Sequence, residues 1–301
     1  MSHIINQSQF PSIQIHLNSK YADAYGDVAT KRSWCYFSFR EPIIKLPKAY
    51  DFLISLDSAE IPCSMYAVNG TNNTITFIVT FLDLSTMKTN TTTIPITLAN
   101  GNYSAIDIAT NITTWNMFGD FFINASYNTN NNTFQYNCQP TPTSPNYVQF
   151  RFQVVAGSSN PIFGLSGNAI AAMTSDDTPA IPNTLIITSD SCVDLAGTRA
   201  IFIKCISIHT AAYDSRTKYS GSTLARIPIQ QEPLGIVFYS NSTLFKSKCN
   251  LKNLSTLEIQ ICDENGVLVD FNGLDWTATL QLDIIAGTDY IFDQESNLSQ
   301  Y

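Results

Sequence analysis

The pattern that most restricts this chain is a two-residue alternation of apolar and polar side chains, present at both ends. Near the start, Ile13, Ile15 and Leu17 alternate with Ser12, Gln14 and His16. Near the end, Leu257, Ile259 and Ile261 alternate with Glu258 and Gln260, and Leu280, Leu282 and Ile284 with Gln281 and Asp283. Successive side chains of an extended strand point to opposite faces, so this period marks strands with one buried face. Composition agrees. The 301 residues include 26 Asn and 31 Thr, types that suit turns and strands and are poor in helix interiors. A helical bundle or coiled coil is excluded. Hydrophobic residues are 44%, enough for a core, while charged residues are only 13%, against roughly 25% in ordinary globular chains.

The strand rhythm falls in two blocks. The first holds 12–17, Trp34–Arg40 and Asp51–Ser58, with 18–33 between them reading as a long polar loop containing Lys20, Lys31 and Arg32. The second holds Ala200–Ile208, Leu224–Ile229, Gly235–Ser240, Thr256–Cys262 and Thr277–Ile285. The texture differs in between. Asn69-Gly70 and Asn72-Asn73 are turn signals, followed by strands over Thr74–Leu82 and Thr92–Leu98. Ser104-Ala105-Ile106-Asp107 has the form of a capping box, and Ile108, Ile112 and Trp115 form one apolar stripe ending before Gly119. A helix is therefore expected near 104–117. Strands follow over Phe121–Tyr127, Thr133–Cys138, Tyr147–Val155 and Leu185–Thr188, with 156–183 irregular.

Three strands and then five make eight, and eight antiparallel strands of this length make a two-sheet jelly roll. The expected fold is mainly β. It is a single eight-stranded jelly roll (an antiparallel β-sandwich) built from 8–64 and 195–290, with an inserted α+β domain over 65–194 and a tail at 291–301.

Catalytic patterns are scarce. His3, His16 and His209 are the only histidines, and none stands in a zinc-ligand spacing. No Gly-x-Ser-x-Gly elbow is present; Gly164-Leu165-Ser166-Gly167 reads as a tight turn. Asp176-Asp177 are adjacent and point apart in a loop, and Asp263-Glu264-Asn265-Gly266 lacks the spacing of a calcium loop. No catalytic, cofactor-binding or metal-binding residue is assigned, and the chain is expected not to be an enzyme.

Charge bears on partners. The net charge is −8, so no basic surface for direct nucleic-acid or anionic-membrane binding is expected. Its distribution is uneven. Residues 1–252 carry 16 Lys+Arg and 15 Asp+Glu, whereas 253–301 carry no base and nine acids: Glu258, Asp263, Glu264, Asp270, Asp275, Asp283, Asp289, Asp293 and Glu295. Most simply these form a solvated acidic face; alternatively they match a basic segment such as 18–33 on a neighbour, with Asp283 and Asp289 as test positions. Arg199, Arg216, Lys218 and Arg226 read as a solvated loop or as contacts to an acidic neighbour. The seven cysteines (35, 63, 138, 192, 205, 249 and 262) include no CxxC, and their spacing reads as buried free thiols in a reducing compartment. Met1 to Gln7 has neither the basic nor the apolar region of a signal peptide, and no segment reaches 18 apolar residues.

Several runs resemble a known family. They are Ile54–Tyr66 (ISLDSAEIPCSMY) with Asn72-Asn73-Thr74-Ile75, then Gly101-Asn102-Tyr103-Ser104, Leu224–Pro228 (LARIP), Leu257-Glu258-Ile259, Asp263–Gly266, Asp270-Phe271-Asn272-Gly273 and Trp276. In this order they are similar to the penton (minor capsid) proteins of virophages and Maverick/Polinton-like double-stranded DNA viruses. The resemblance implies a jelly roll whose inserted domain enters between strands D and E and projects outward. It further implies a homopentamer at each icosahedral vertex, a double jelly-roll major capsid protein as neighbour, a host receptor as a partner of the inserted domain, and a place in the virion capsid after synthesis in the host cytoplasm. It supplies no catalytic residue. The alternatives are a β-sandwich receptor- or carbohydrate-binding module and a major capsid protein.

Overall fold

The structure is a computed structural model that describes residues 12–29, 31–47, 50–83, 86–114, 121–141, 147–155, 159–167, 170–173, 184–208, 221–242, 244–249 and 251–286. In chain order the first strands are β1 (Ser12–Asn18), β2 (Ala24–Tyr25), β3 (Trp34–Ser38), β4 (Ile44–Lys45) and β5 (Tyr50–Pro62). Then come β6 (Thr74–Asp83), β7 (Lys88–Thr97), helix α1 (Ala105–Thr114), β8 (Phe121–Asn128), β9 (Thr133–Pro140), β10 (Tyr147–Val154), β11 (Ser159–Asn160), β12 (Leu165–Ser166), β13 (Ile170–Met173) and β14 (Leu185–Thr188). The last are β15 (Ala200–Cys205), β16 (Thr223–Pro228), β17 (Ile236–Ser240), β18 (Ser247–Cys249), β19 (Asn253–Leu254), β20 (Thr256–Cys262) and β21 (Thr277–Ala286). The chain is mainly β, and its sheets are antiparallel. It divides into two compact units, one of Met1–Met65 with Thr198–Tyr301 and one of Tyr66–Gly197.

In the first unit, strands from the two ends of the sequence interleave. One sheet has the order β1-β21-β5-β17, with β18 also on β5; the other has the order β16-β15-β20-β3-β2. The alternation explains the register. Ile15 lies opposite Leu280, and Leu280 opposite Leu56; Ile13 lies opposite Leu282, and Leu282 opposite Ile54. Across the other sheet, Ile203 faces Ile261, and Leu257 faces Phe37. Both apolar faces contribute to one core, which also takes in Phe52, Phe271 and Trp276, all fully buried. Burying one such side chain is worth about 1.5–3 kcal/mol. Phe37 meets Trp276 edge to face at 6.2 Å, a geometry favoured by the ring quadrupole.

All eight strands expected for this unit are present. Four short ones, β2, β4, β18 and β19, are added, so the described residues of this unit hold twelve strands rather than eight. Two or three residues are too few to show a period, which is why the sequence did not mark them. The segment 18–33 is not a plain loop. It holds a 3-10 turn at Ser19–Tyr21 and strand β2, which pairs with β3.

The second unit has a four-stranded sheet β13-β10-β6-β7, a three-stranded sheet β14-β9-β8 and the pair β11-β12. Its core is aromatic: Phe77 stacks on Phe152 at 5.1 Å and meets Tyr136 edge to face at 5.3 Å. Helix α1 starts as its capping box requires. The Asp107 N–H donates to Ser104 Oγ at 3.1 Å, and the Ser104 N–H donates back to Asp107 Oδ2 at 3.0 Å. Ile108 and Ile112 are fully buried; Trp115 and Gly119 lie outside the described residues. Part of 156–183, expected to be irregular, is built into β11, β12 and β13.

Candidate interaction surface

The acidic C-terminal stretch is the first candidate, and its described carboxylates bond within the chain, although Glu264, Asp270 and Asp275 are exposed. Six of its nine acids are described, and each is engaged within the chain. Glu258 Oε1 accepts from Trp34 Nε1 at 2.8 Å. Asp263 accepts from the N–H groups of Asn265 and Val267 at 2.9 and 2.8 Å, and Asp270 accepts from Asn272 N–H at 2.9 Å. These are side-chain caps on turns. Glu264 accepts from Arg199 N–H at 3.4 Å, and Asp275 accepts from Ser19 Oγ at 2.8 Å. Asp283 pairs with Lys246 and accepts from Ser12 Oγ and, at 2.9 Å, from Gln281 Nε2. Burial works against its charge, but these donors outweigh it and hold the carboxyl below its ordinary range. Within the chain, Asp283 clamps β1 and β21 to the segment before β18. Asp289, Asp293 and Glu295 lie outside the described residues.

The other candidates scatter. His16 is exposed on β1 with Nδ1 3.1 Å from Thr279 Oγ1; His3 and His209 lie outside the described residues, as do Asp176, Asp177, Arg216 and Lys218. Arg226 is exposed on β16 opposite Phe202, and the Arg199 carbonyl accepts from Ile229 N–H. Gly164 is the left-handed stop of a 3-10 turn at φ 67°, and Ser166 is held by Asp190. That stretch is a tight turn. All seven cysteines are free, and six are buried; Cys192 is exposed, against the expectation of buried thiols throughout. Burial pushes the thiols of Cys35, Cys138 and Cys205 up to about 12. Among the described residues no three His, Cys, Asp or Glu side chains group to hold a metal, and no helix is long and apolar enough to cross a membrane.

Two surfaces of the first unit stand out instead. The first is the edge strand β17. One side of β17 pairs with β5, and no described strand pairs with its other side. Val237 points into the core at 4% exposure, and its neighbours point out: Ile236 is 49% exposed and Phe238 70%. Leucines mark the turns at both ends, Leu234 at 85% and Leu244 at 74% exposure, and Phe245 follows at 44%. Both leucines have left-handed backbones, at φ 71° and φ 53°. A bare edge strand is a template for association, and proteins ordinarily blunt it with charge or proline. Here it carries apolar side chains, with Glu60 opposite Phe238 on β5 and Glu232 just before Leu234.

The second surface is 20–31. Its frame is rigid. Arg32, at φ 61°, stacks on the Tyr25 ring at 4.8 Å, faces Asp275 at 3.5 Å, and its carbonyl accepts from Trp276 Nε1 at 2.7 Å. Its two acids accept hydrogen bonds, Asp23 from Ser38 N–H and Asp27 from Ser33 Oγ, both at 2.6 Å, with Asp23 exposed. Gly26 lies against the Trp34 ring, where an added Cβ would come within 2.2 Å. On this frame Tyr21 and Val28 are exposed, beside Lys20 and Lys31.

No protein-family model matches the chain, and no curated protein matches it. Among solved structures it is similar to the crystal structure of a selenomethionine-labelled mavirus penton protein, at 10% identity and a TM-score of 0.44, over 91% of this chain and 100% of that one.

Proposed function

We propose that this chain is a structural capsid protein, a jelly roll that forms the pentameric vertex of an icosahedral double-stranded DNA virus or virophage. Strand order is the observation that carries the reading. Lettered B to I along the chain, the eight long strands of the first unit are β1, β3, β5, β15, β16, β17, β20 and β21. Their sheets then run B-I-D-G and F-E-H-C, the arrangement of a two-sheet jelly roll. Residues 66–197 enter between D and E, where the sequence resemblance implies an inserted domain. Fold alone does not give function. The apolar edge at β17 adds a surface made for another protein, since patches of this kind mark association sites. The role is one of assembly rather than catalysis, in the capsid and beside a major capsid protein.

Native mass spectrometry and negative-stain imaging of the purified chain test this. Five-fold rings, alone or on mixing with the major capsid protein, are the expected result. A chain that stays monomeric at every concentration and never enters shells sinks the proposal.

A further inference from the structure

We infer that copies of this chain meet head to tail, the β17 edge of one copy seated on the 20–31 segment of the next. The inference rests on the capsid reading for the fact of self-association and adds which surfaces meet.

The two surfaces occupy opposite flanks of the same unit. In one sheet β17 and β1 are the end strands, three strand spacings apart, or about 14 Å. In the other sheet β2 is the end strand on the β1 side, because only five residues join β1 to β2. Tyr21 and Val28 bracket β2, at 73% and 64% exposure. Large apolar side chains are thus exposed to solvent at both ends of the sandwich, Ile236 and Phe238 at one and Tyr21 and Val28 at the other.

Their charges are complementary. Glu60 and Glu232 are exposed beside the β17 patch, and neither has an ion pair among the described residues. Lys20 and Lys31 stand beside Tyr21 and Val28, equally without an ion pair, while Asp23 and Asp27 keep their charge and accept from Ser38 N–H and Ser33 Oγ, so the complementarity is local to the two lysines. A two-fold contact of β17 on itself would set Glu60 and Glu232 against their own copies, which like-charge repulsion opposes. The head-to-tail contact sets them against lysines. Such a contact is heterologous, so its rotation angle either closes a ring or runs on as a filament. The bolted frame of 20–31 also limits the side-chain and loop ordering that docking costs.

Mixing two variants tests the pairing. Phe238→Glu spoils the edge, and Tyr21→Glu with Val28→Glu spoils the segment. All three side chains are solvent-exposed, and circular dichroism and the unfolding midpoint verify that each variant is folded. Each variant alone should require at least tenfold more protein to associate. An equimolar mixture should give a heterodimer and nothing larger, since one intact edge and one intact segment remain. A second set touches only surface charge: Glu60→Lys with Glu232→Lys, and Lys20→Glu with Lys31→Glu, should each weaken association about tenfold, and the combined swap should restore it. If the edge variants fail while the segment variants assemble like the wild type, β17 meets another surface and the inference is overturned. If both sets assemble normally, it is overturned while the capsid reading stands. A wild-type chain that never associates removes both.

Discussion

Replacing Leu234 by Gly should make the folded chain more stable and its self-association weaker. Pro233 and Leu234 are the central residues of a turn closed by the Gly235 N–H, which donates to the Glu232 carbonyl at 3.0 Å. Proline first and a positive φ second, here 71°, are the marks of a type II turn, whose second position favours Gly. Holding an L-residue in the left-handed region costs roughly 1–2 kcal/mol. Leu234 is 85% exposed, so its side chain recovers little of this within the chain. Glycine's larger freedom in the unfolded state takes back about 0.5–1 kcal/mol. The net gain is therefore about 0.5–1 kcal/mol, or a rise of about 1–4 °C in Tm for a unit of this size. Urea unfolding followed by tryptophan fluorescence reads it, since Trp34 and Trp276 both report on this unit; the midpoint should rise with an unchanged slope. Sedimentation of the same samples should show weaker association. A loss of 1 kcal/mol or more would falsify the strain argument, and unchanged association would detach Leu234 from the contact.

Two further outcomes follow, one from carboxylates of the first unit and one from the thiols of both units. The carboxyls of Asp283 and Asp51 are both held below the ordinary carboxylate range, Asp51 chiefly through Lys252 and then Lys248. A depressed folded-state pKa gives stability that is present above the unfolded value and lost as pH falls through the folded one. Unfolding should therefore set in below about pH 4, and Asp283→Asn should cost about 1–2 kcal/mol at pH 7 while flattening the acid limb; association, compared at a pH where both forms are folded, should not change. A drop in assembly without a drop in stability would restore Asp283 to the interface. Maleimide labelling of the native protein should modify one thiol rapidly, Cys192, with the six buried cysteines reacting only on unfolding. Fast modification of two or more would contradict the packing of β3, β9 or β15.

Long strands of the first unit were legible where a two-residue period persists, as at Leu257, Ile259 and Ile261, or where a short apolar run stands between turn residues, as at 235–240. The length of β5 was not. The period was readable over Asp51–Ser58, but the strand continues through Ile61 to Pro62 because β21 and β17 pair along it, with an irregularity at Thr279/Leu280. Partners rather than propensity set that end. The acidic stretch shows a second limit. Composition counts charges and cannot say where a carboxylate points. Asp263 and Asp270 each stand two residues before an Asn N–H that they cap, a local pattern open to reading, whereas Asp283 is bound by Ser12 and Lys246, which lie 271 and 37 residues away. Nothing local reveals such a pair. The candidate surface was hidden for the same reason: the apolar run at 235–240 looks like any strand until topology makes it an edge.

Backbone strain separates residues that serve the fold from residues that serve something outside it. Among the described residues six non-glycine residues have positive φ: Arg32, Met87, Asn132, Leu234, Leu244 and Asn272. The two asparagines tolerate that region. Arg32 does not, yet its strain is offset within the chain by Asp275, the Tyr25 ring and the Trp276 indole. Met87 is a single exposed side chain in the turn between β6 and β7. Leu234 and Leu244 differ from all of these. Both hold a costly conformation, both face solvent, and they stand at opposite ends of one unpaired edge strand that also exposes Ile236 and Phe238. Glycine or asparagine would make either turn at lower cost, so the leucines do nothing for the turn that a better turn former would not. What they add is apolar area at the two ends of a strip, and in the isolated chain that area touches water. A surface on another molecule that buried this strip would offset their strain, and the partner inferred above is the 20–31 segment of a second copy, which exposes Tyr21 and Val28 beside Lys20 and Lys31.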